Sequence, residues 1–251
     1  MSVAARLLAL GLILFPTVAV SQAGPREERA DGWTLGLSVL GDTNPYLGQD
    51  SDIIPLPLVS YRQGPFEIGT LGVEYDFLNS GPWRLTAAAR PRFSGLISTD
   101  GDQLDGIDRD VTGDLSLEAQ YDIGQFYTRF ALRQEFTGDH DGNEARLRFG
   151  ARQRIGTLGL DLSAGAAWQN SDLSQYIYGV DGDEARPGRP TYAPGDVIVP
   201  FVSLSARYQI NDNWSVLGSL RGDFLSDDIT DSPIIEDDAL ISGGIGFVFR
   251  F

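Results

Sequence analysis

The feature that most constrains the fold is the alternation of residue types over the last part of the chain. From Ile241 to Phe251 every second residue is apolar or glycine, and most of the residues between them are small or polar. A repeat of two residues is typical of a β-strand with two different faces. Such a final strand fits a closed barrel whose outer face meets lipid. The last strand of a soluble sandwich is the alternative.

The same alternation recurs from Trp33 onwards, in segments of about 10 residues, which is the length that a tilted strand needs to cross a bilayer. The connections between these segments are alternately long and short over most of the chain. Outer-membrane barrels have long loops outside and tight turns in the periplasm. The pattern therefore predicts an all-β fold, a closed antiparallel transmembrane β-barrel, with the connections 94–111, 137–144, 170–196 and 226–238 outside.

The number of strands follows from parity. A direct count gives an odd number, whereas bacterial barrels of this kind have an even number of strands. A further short strand from Phe66 to Gly69 restores an even count and also places the loop 41–54 outside. We therefore expect about twelve strands, with ten as the alternative. The strand before this short one begins near two prolines, Pro55 and Pro57, which weaken the prediction there.

The N-terminal segment is typical of a secretory signal peptide. Arg6 precedes an apolar stretch, 7–20, and the small residues Ser21 and Ala23 flank Gln22 before the predicted cleavage position. The apolar stretch is shorter than the roughly 20 residues that a spanning helix needs. We expect residues 1–23 to be removed, and residues 24–251 to form the barrel domain in the cell outer membrane.

Composition excludes several classes of function. The net charge of −16 disfavours nucleic acid, whose phosphates would be repelled, and the absence of cysteine excludes disulfides, thiol catalysis and zinc bound by cysteine. The single histidine, His140, lies between two aspartates in a predicted outer loop. A surface enzyme that uses His140 is therefore conceivable, but adjacent residues on a loop do not by themselves orient each other, and we expect no enzyme.

Metal and cofactor sites are not predicted. Aspartates crowd the loops 94–111 and 226–238, and hard cations prefer such oxygen ligands. No segment matches a calcium loop, because Glu144 stands where that pattern needs glycine. Solvated outer loops are one interpretation, and bridging of lipopolysaccharide phosphates through divalent ions is the other. We expect outer-membrane lipid and lipopolysaccharide as the surroundings of the barrel, and no cofactor.

Charged residues follow the strand positions opposite the apolar faces, and in a barrel these positions face the lumen. Bases and acids are interleaved there. One interpretation is an internal network of ion pairs that fills a narrow barrel, and the other is a pore wall that attracts anions. The predicted lumen residues are Arg84, Arg90, Arg92, Asp114, Glu118, Arg129, Arg133, Glu135, Arg146, Arg148, Arg152 and Arg154.

Several short patches, taken in order, resemble the MltA-interacting protein/OmpV family of outer-membrane proteins. The patches are 44–48, 54–61, 178–180, 192–195, 213–216, 225–227, 231–235 and the terminal strand. The terminal run 246–251 also resembles the C-terminal signal through which the barrel-assembly machinery takes up outer-membrane barrels, with Phe251 as the last aromatic residue. The loop residues that carry the family resemblance are Tyr46, Gly48, Pro55, Pro57, Tyr178, Gly179, Tyr192, Pro194, Gly195, Asp231 and Pro233.

This resemblance implies a small outer-membrane barrel without catalytic residues. One branch of the family is a scaffold that joins a lytic transglycosylase to a murein synthase, and other branches are linked to osmotic response and to adhesion. The first expectation is therefore a structural or scaffolding protein of the cell envelope. A narrow pore for small solutes is the alternative.

Overall fold

The computed structural model describes residues 31–49, 51–93 and 104–251. The predicted signal peptide and Asp100 and Asp102 of the acidic loop lie outside the described residues. The fold is a closed antiparallel barrel of twelve strands, in which each strand pairs with its neighbours in the sequence and the last strand pairs with the first. The prediction of twelve strands is therefore confirmed, and the alternatives of ten strands and of a soluble sandwich are wrong.

The strands are β1 Gly32–Asp42, β2 Asp52–Gln63, β3 Phe66–Gly69, β4 Gly72–Ser80, β5 Trp83–Arg92, β6 Thr112–Ile123, β7 Phe126–Glu135, β8 Asn143–Ile155, β9 Leu158–Gln169, β10 Val197–Gln209, β11 Trp214–Phe224 and β12 Ala239–Arg250. Two helices lie in the long connections, α1 Ser171–Tyr178 and α2 Asp227–Thr230. Within the described ranges, neither the length nor the hydropathy of any helix reaches what a membrane-crossing helix requires.

Alternation places the apolar residues on the outside of the barrel. Leu117, Phe149 and Ile245 each expose more than half of their surface, and small or charged residues occupy the positions between them. A continuous apolar band of this kind needs lipid around it, because soluble monomers rarely expose apolar patches above a few hundred Å².

Aromatic residues form a girdle at the end of the barrel that carries the short turns, which we call the periplasmic end. The ring centres of Trp33 and Tyr61 lie 5.0 Å apart, and those of Trp214 and Phe249 lie 4.9 Å apart. Amphipathic aromatic rings of this kind favour the boundary between lipid and water. The long connections lie at the opposite end, which we call the outer end.

Several connections differ from the sequence prediction, among them the loop 137–144, because β8 already begins at Asn143. The loop 41–54 is shorter than predicted, because β1 and β2 continue to pair as far as Asp42 and Asp52. The connection 170–196 contains α1, which begins where the side chain of Asn170 accepts a hydrogen bond of 3.2 Å from the backbone N–H of Leu173. This capping bond satisfies one of the free donors at the start of the helix.

The short hairpin of β3 and β4 is packed closely between its neighbours. Gly72, at the start of β4, has a φ of 117°. A side chain at this position would press against the carbonyl oxygen of Ala89 in β5. Glycine is therefore needed here for its backbone conformation and for the close approach of two strands.

Replacing Gly72 with alanine should lower the free energy of unfolding by about 1–3 kcal/mol, because the change adds backbone strain and a steric clash. Urea unfolding in detergent micelles, followed by tryptophan fluorescence, measures the change. Gly182→Ala is the matched control, since no atom lies within 4 Å of the added methyl group and its φ is outside the left-handed region. Equal stability of the two variants would contradict the tight packing of the hairpin.

Candidate functional site

The outer loops fold together over the outer mouth of the barrel and form a cap. Its apolar core contains residues from four separate connections and from the start of β10. Among them, Leu104, Leu173 and Ile234 are completely buried. Because these residues lie inside the mouth instead of in the lipid-facing band, the cap closes the barrel at its outer end. The core consists of Tyr46, Leu104, Ile107, Leu173, Ile177, Tyr178, Val180, Val197, Val199, Ile229, Ile234 and Ile235.

Tyrosines that carry the family resemblance join the loops of the cap. The hydroxyl of Tyr46 donates a hydrogen bond of 3.0 Å to the carbonyl of Ile177 at the end of α1. The hydroxyl of Tyr192 donates one of 2.9 Å to the carbonyl of Asp228 in α2. The carbonyl of Tyr178 accepts a bond of 2.6 Å from Ser232. Each of these bonds links two different connections, so the cap is one packed unit.

The other predicted family residues have simpler roles. The N–H of Gly48 donates to the carboxylate of Glu236 at 2.9 Å, and Gly179 ends α1 with its N–H bonded to the carbonyl of Gln175. The N–H of Asp231 donates to the carbonyl of Asp227 in the last turn of α2. Pro194, Gly195 and Pro233 lie in the connections of the cap, whereas Pro55 and Pro57 lie inside β2.

Ionisable groups in the cap are adapted to burial. Burial raises the pKa of the Tyr46 and Tyr178 hydroxyls, so both remain protonated, and Tyr46 donates its hydrogen bond as a neutral hydroxyl. Burial alone would lower the pKa of Arg109, but the hydrogen bonds and the charge of Glu184 raise it above its usual value. The Nη2 atom of Arg109 lies 3.0 Å from a carboxylate oxygen of Glu184. This ion pair joins the connection before β6 to the connection that follows α1.

His140 lies in the connection between β7 and β8 and packs against the cap. Its ring stacks on Tyr176 at 4.3 Å, and its Nδ1 accepts a hydrogen bond of 3.1 Å from the N–H of Gly142. Its Nε2 lies 3.4 Å from the hydroxyl of Thr112. None of the hydrogen bonds of His140 among the described residues involves a carboxylate, so the geometry of a catalytic triad is absent there.

The imidazole of His140 should titrate below its usual pKa of about 6.5. Burial lowers the pKa of His140 first, and the charge of Arg92 adds to the effect. The folded state therefore binds this proton less tightly than the unfolded chain, so cap stability falls as the pH drops from about 6.5 through the lower folded pKa. Nitrogen NMR of the imidazole measures the midpoint, and because the chain has one histidine, both ring-nitrogen signals belong to His140. A midpoint at or above 6.5 would contradict this.

Beneath the cap, a layer of buried ion pairs crosses the lumen. Glu144 is central to it, with the nitrogens of Arg146, Arg92 and Arg133 at 3.0, 3.3 and 3.5 Å from its carboxylate. The Nε atom of Arg92 also lies 3.0 Å from a carboxylate oxygen of Asp114 in β6. These acids and bases lie close enough to neutralise each other, and they join β5, β6, β7 and β8 on one side of the lumen.

Between this layer and the periplasmic end lies a cavity of about 290 Å³. One wall is rich in arginine and belongs to β5, β6, β7 and β8. The opposite wall contains small and apolar residues of β1, β2, β11 and β12, such as Ser38, Leu58, Ser219 and Gly246, together with Arg62 of β2. The cavity extends towards Arg250 at the periplasmic end. Arginines are therefore concentrated on one side of the lumen.

Most of the predicted lumen residues meet in these two layers. Arg84, Arg90, Glu118, Arg129, Arg133, Arg146, Arg148 and Arg152 line the cavity, and Arg92 and Asp114 lie in the ion-pair layer above it. Two predicted residues do not join them. Glu135 accepts the N–H of Gly138 at 2.8 Å and so holds the connection after β7, while Arg154 is exposed at the periplasmic end of β8.

Sequence reasoning missed Glu144, Arg221 and Asp223 as lumen residues. Glu144 was assigned to a loop, although it lies two positions before Arg146 and thus on the same strand face. Arg221 and Asp223 form a buried pair on β11, with an N–O distance of 2.7 Å. The spacing of two residues between these partners was the available signal.

Comparisons with known proteins agree with this architecture. A scan of protein families matches residues 35–251 to the family described as MltA-interacting protein MipA. The MltA-interacting protein of Escherichia coli K12 is 29% identical over 97% of this chain and 98% of its own length. Outer membrane protein OmpV of Vibrio cholerae is 24% identical over 81% of this chain and 80% of its own length.

Among solved structures, a NanC porin has the same type of barrel. Its TM-score is 0.51 at 8% sequence identity, and the match covers 86% of this chain and 100% of that one. Such a low identity supports the fold alone. Together with the apolar outer band and the relatives named as outer membrane proteins, it shows that the chain is a β-barrel of the outer membrane.

Proposed function

Because the chain belongs to the MltA-interacting protein (MipA) family, we propose that it is a structural protein that holds a murein lytic transglycosylase, and through it a murein synthase, at the outer membrane. The observation that carries this proposal is the similarity over 97% of the chain to a relative that is named for such a partner. The barrel would act as the anchor, and the partner would bind at its periplasmic end.

The architecture of the barrel supports an anchor more than a transporter. The cap fills the outer mouth, and the buried ion pairs around Glu144 form a second barrier directly beneath it. A solute that crossed the membrane would have to displace both layers. Folded loops with their own apolar core and hydrogen bonds between connections are costly to displace, because each buried polar group would lose its partner.

The periplasmic end offers the surface that a partner in the periplasm can reach. It consists of tight turns, and the turn before β11 is fixed by Asn211, whose side chain accepts the N–H groups of Asn213 and Trp214 at 3.0 and 2.9 Å. Asp212 lies exposed in this turn. Rigid turns are pre-organised for binding, since little conformational entropy is lost when a partner docks.

Capture of a purified lytic transglycosylase by the full-length protein in detergent tests the proposal. We expect Asp212→Lys to weaken capture severalfold. Asp237→Lys is the matched control, since it makes the same charge change on an exposed residue of the outer end, and it should leave capture unchanged. Absence of capture by the unmodified protein would overturn the proposal.

A narrow pore remains the second candidate, because the cavity and its arginine wall would favour anions. Conductance of planar bilayers separates the two functions. The anchor predicts no steady single-channel steps, and the pore predicts steps that are selective for anions. Steady steps from the unmodified protein would favour the pore. We propose no catalytic role, because His140 serves as a packing residue of the cap.

A further inference from the structure

Two arginines lie at the periplasmic end of the lumen, away from the ion-pair layer around Glu144. Arg207 stands two residues before the end of β10, and Arg250 is the last residue of β12. Both line the cavity of the lumen. Their side chains therefore lie on the inner face of the barrel, at the end that a solute in the periplasm reaches first.

Arginines elsewhere in the lumen show the usual arrangement of a buried cation. Arg90 of β5 lies 2.7 Å from Glu74, and Arg152 of β8 lies 3.0 Å from Asp122. An acidic side chain at ion-pair distance offsets much of the cost of burying a guanidinium group. These arginines therefore need no further anion.

Arg207 and Arg250 lack such a partner. Neither side chain forms an ion pair or a hydrogen bond with any of the residues that the structure describes. The charged groups that act on the guanidinium of Arg207 are Arg250 and Arg154, and both are cations. The Nε atom of Arg207 is shielded from water and has no hydrogen-bond partner. A cation in such surroundings is unfavourable unless an anion joins it.

Arg148 also lacks an ion pair within the described ranges, but its side chain has another partner. Its guanidinium lies 5.3 Å from the centre of the Phe201 ring. A cation over an aromatic ring is stabilised by the negative face of the ring. The need for an anion is therefore greatest at the periplasmic end of the cavity.

The surface between the two arginines is mainly apolar. Leu217 of β11 is the cross-strand partner of Arg207, and Val248 lies two positions before Arg250 on the same face of β12. Thr34 of β1 is the cross-strand partner of Arg250. All of these residues line the cavity. A ligand held by both guanidinium groups would therefore rest its uncharged part on Leu217 and Val248.

The position of the cavity indicates the side from which a ligand enters. Towards the outer end, the ion pairs of Glu144 and the apolar core of the cap lie above the cavity. At the other end, Gly32 and Arg250 belong to both the cavity lining and the periplasmic ends of their strands. A ligand from the periplasm thus meets Arg250 and Arg207 before it meets either of the two closing layers.

We propose that the periplasmic end of the lumen is a binding site for a small organic anion that carries two negative charges and an apolar part. The guanidinium groups of Arg207 and Arg250 bind its oxygens, and Leu217 and Val248 contact its apolar part. Two cations without an acidic partner match two negative charges. The planar donor groups of arginine fit the oxygens of a phosphate or a carboxylate.

The size of the cavity limits the ligand. Its volume of about 290 Å³ is at the lower end of small-molecule sites, which span about 300–1,000 Å³. A phosphate monoester or a dicarboxylate with one ring or one short chain is of this size. The site depends neither on the anchor function nor on passage of a solute through the barrel.

Isothermal titration calorimetry of the full-length protein in a neutral detergent, in a buffer without phosphate, tests the site. Phenyl phosphate carries two charges, benzoate carries one charge, and benzyl alcohol carries none. We expect the affinity to fall severalfold at each step of this series, because each step removes negative charge that the two arginines bind. Absence of binding of phenyl phosphate, or equal affinity for the three probes, would overturn the proposal.

A second dianion separates the two kinds of oxygen ligand. Phenylmalonate has the ring and the charge of phenyl phosphate, but it carries two carboxylates. Both dianions should bind more tightly than benzoate, and the tighter of the two identifies the chemical class of the ligand. Binding of benzoate as tight as that of both dianions would contradict a site for two charges.

A pair of arginine variants tests the position of the site. Arg207→Gln should weaken the binding of phenyl phosphate by at least about tenfold, because a hydrogen bond to a charged group is lost. Arg186→Gln is the matched control, since it makes the same charge change in the connection between α1 and β10 at the outer end, and it should leave the affinity unchanged. An equal effect of both variants would show that the anion responds only to the total charge of the protein, and would overturn the site.

A pair of leucine variants tests the apolar part without changing any charge. Leu217→Trp places a larger side chain in the cavity and should weaken the binding of phenyl phosphate severalfold. Leu220→Trp makes the same change on the lipid-facing side of the same strand, where Leu220 is strongly exposed, and should have no effect. Unchanged binding in Leu217→Trp would contradict the proposed position of the ligand. Heat-modifiable mobility on gels confirms that each variant is folded.

Discussion

Replacing Glu144 with glutamine should lower the free energy of unfolding by about 3–5 kcal/mol, because it leaves buried cations without their shared anion. The side chain of Glu144 is only 1% exposed, and Arg92, Arg133 and Arg146 all lie within ion-pair distance of it. Neutralising this carboxylate leaves three guanidinium groups close together in a space that water hardly reaches. The effect should therefore be far larger than that of an ion pair at the surface.

Urea or guanidinium unfolding in micelles, followed by tryptophan fluorescence, gives the free energies. Asp105→Asn is the matched control, because Asp105 is 78% exposed and lies 3.9 Å from Arg186. Removing the charge of Asp105 should lower the free energy of unfolding by less than about 1 kcal/mol. If Glu144→Gln proved no more destabilising than the control, the buried ion-pair layer would not contribute to the stability of the barrel.

The second large effect concerns the lipid-facing surface. Leu117 lies midway along β6, with its side chain 58% exposed on the outer face. Leu117→Arg should lower the free energy of unfolding in vesicles by about 2–4 kcal/mol, because a charge would lie in the middle of the bilayer. In a protein surrounded by water, the same change on an exposed residue would have little effect.

The same strand supplies the control for depth in the membrane. Ile123 ends β6 at the periplasmic end and is 62% exposed. Ile123→Arg should lower the free energy of unfolding by only about 0–1 kcal/mol, since the charge reaches the interface between lipid and water. Similar values for the two variants would mean that the apolar band does not cross a bilayer.

The strands of this barrel could be predicted because their signal is local. Residues two positions apart share a face, so the alternation along β6 or β12 shows the faces without knowledge of the partner strands. The short β3 was found through parity and not through its own pattern. The start of β2 was predicted too late, because Pro55 and Pro57 suggest the end of a strand. Only the three-dimensional structure shows that β2 begins at Asp52 and that both prolines lie inside it.

The cap depends on contacts that the sequence pattern does not contain. Tyr46 meets Ile177 and Ile235 across long stretches of chain, and no periodicity signals such a meeting. The family resemblance marked Tyr46, Tyr178 and Tyr192 as notable, but it did not show that they converge. Glu144 was missed for a related reason: it lies beside a loop, and its role depends on arginines of three strands.

The central claim is that one face of each strand contacts lipid while the other lines the lumen. Because the chain has no cysteine, single cysteines at Leu220 and Ser219 can carry nitroxide labels at neighbouring positions of β11. Oxygen accessibility of these labels in vesicles, measured by electron paramagnetic resonance, tests the claim most directly. High accessibility at position 220 and low accessibility at position 219 would agree with it, and the reverse order would contradict it.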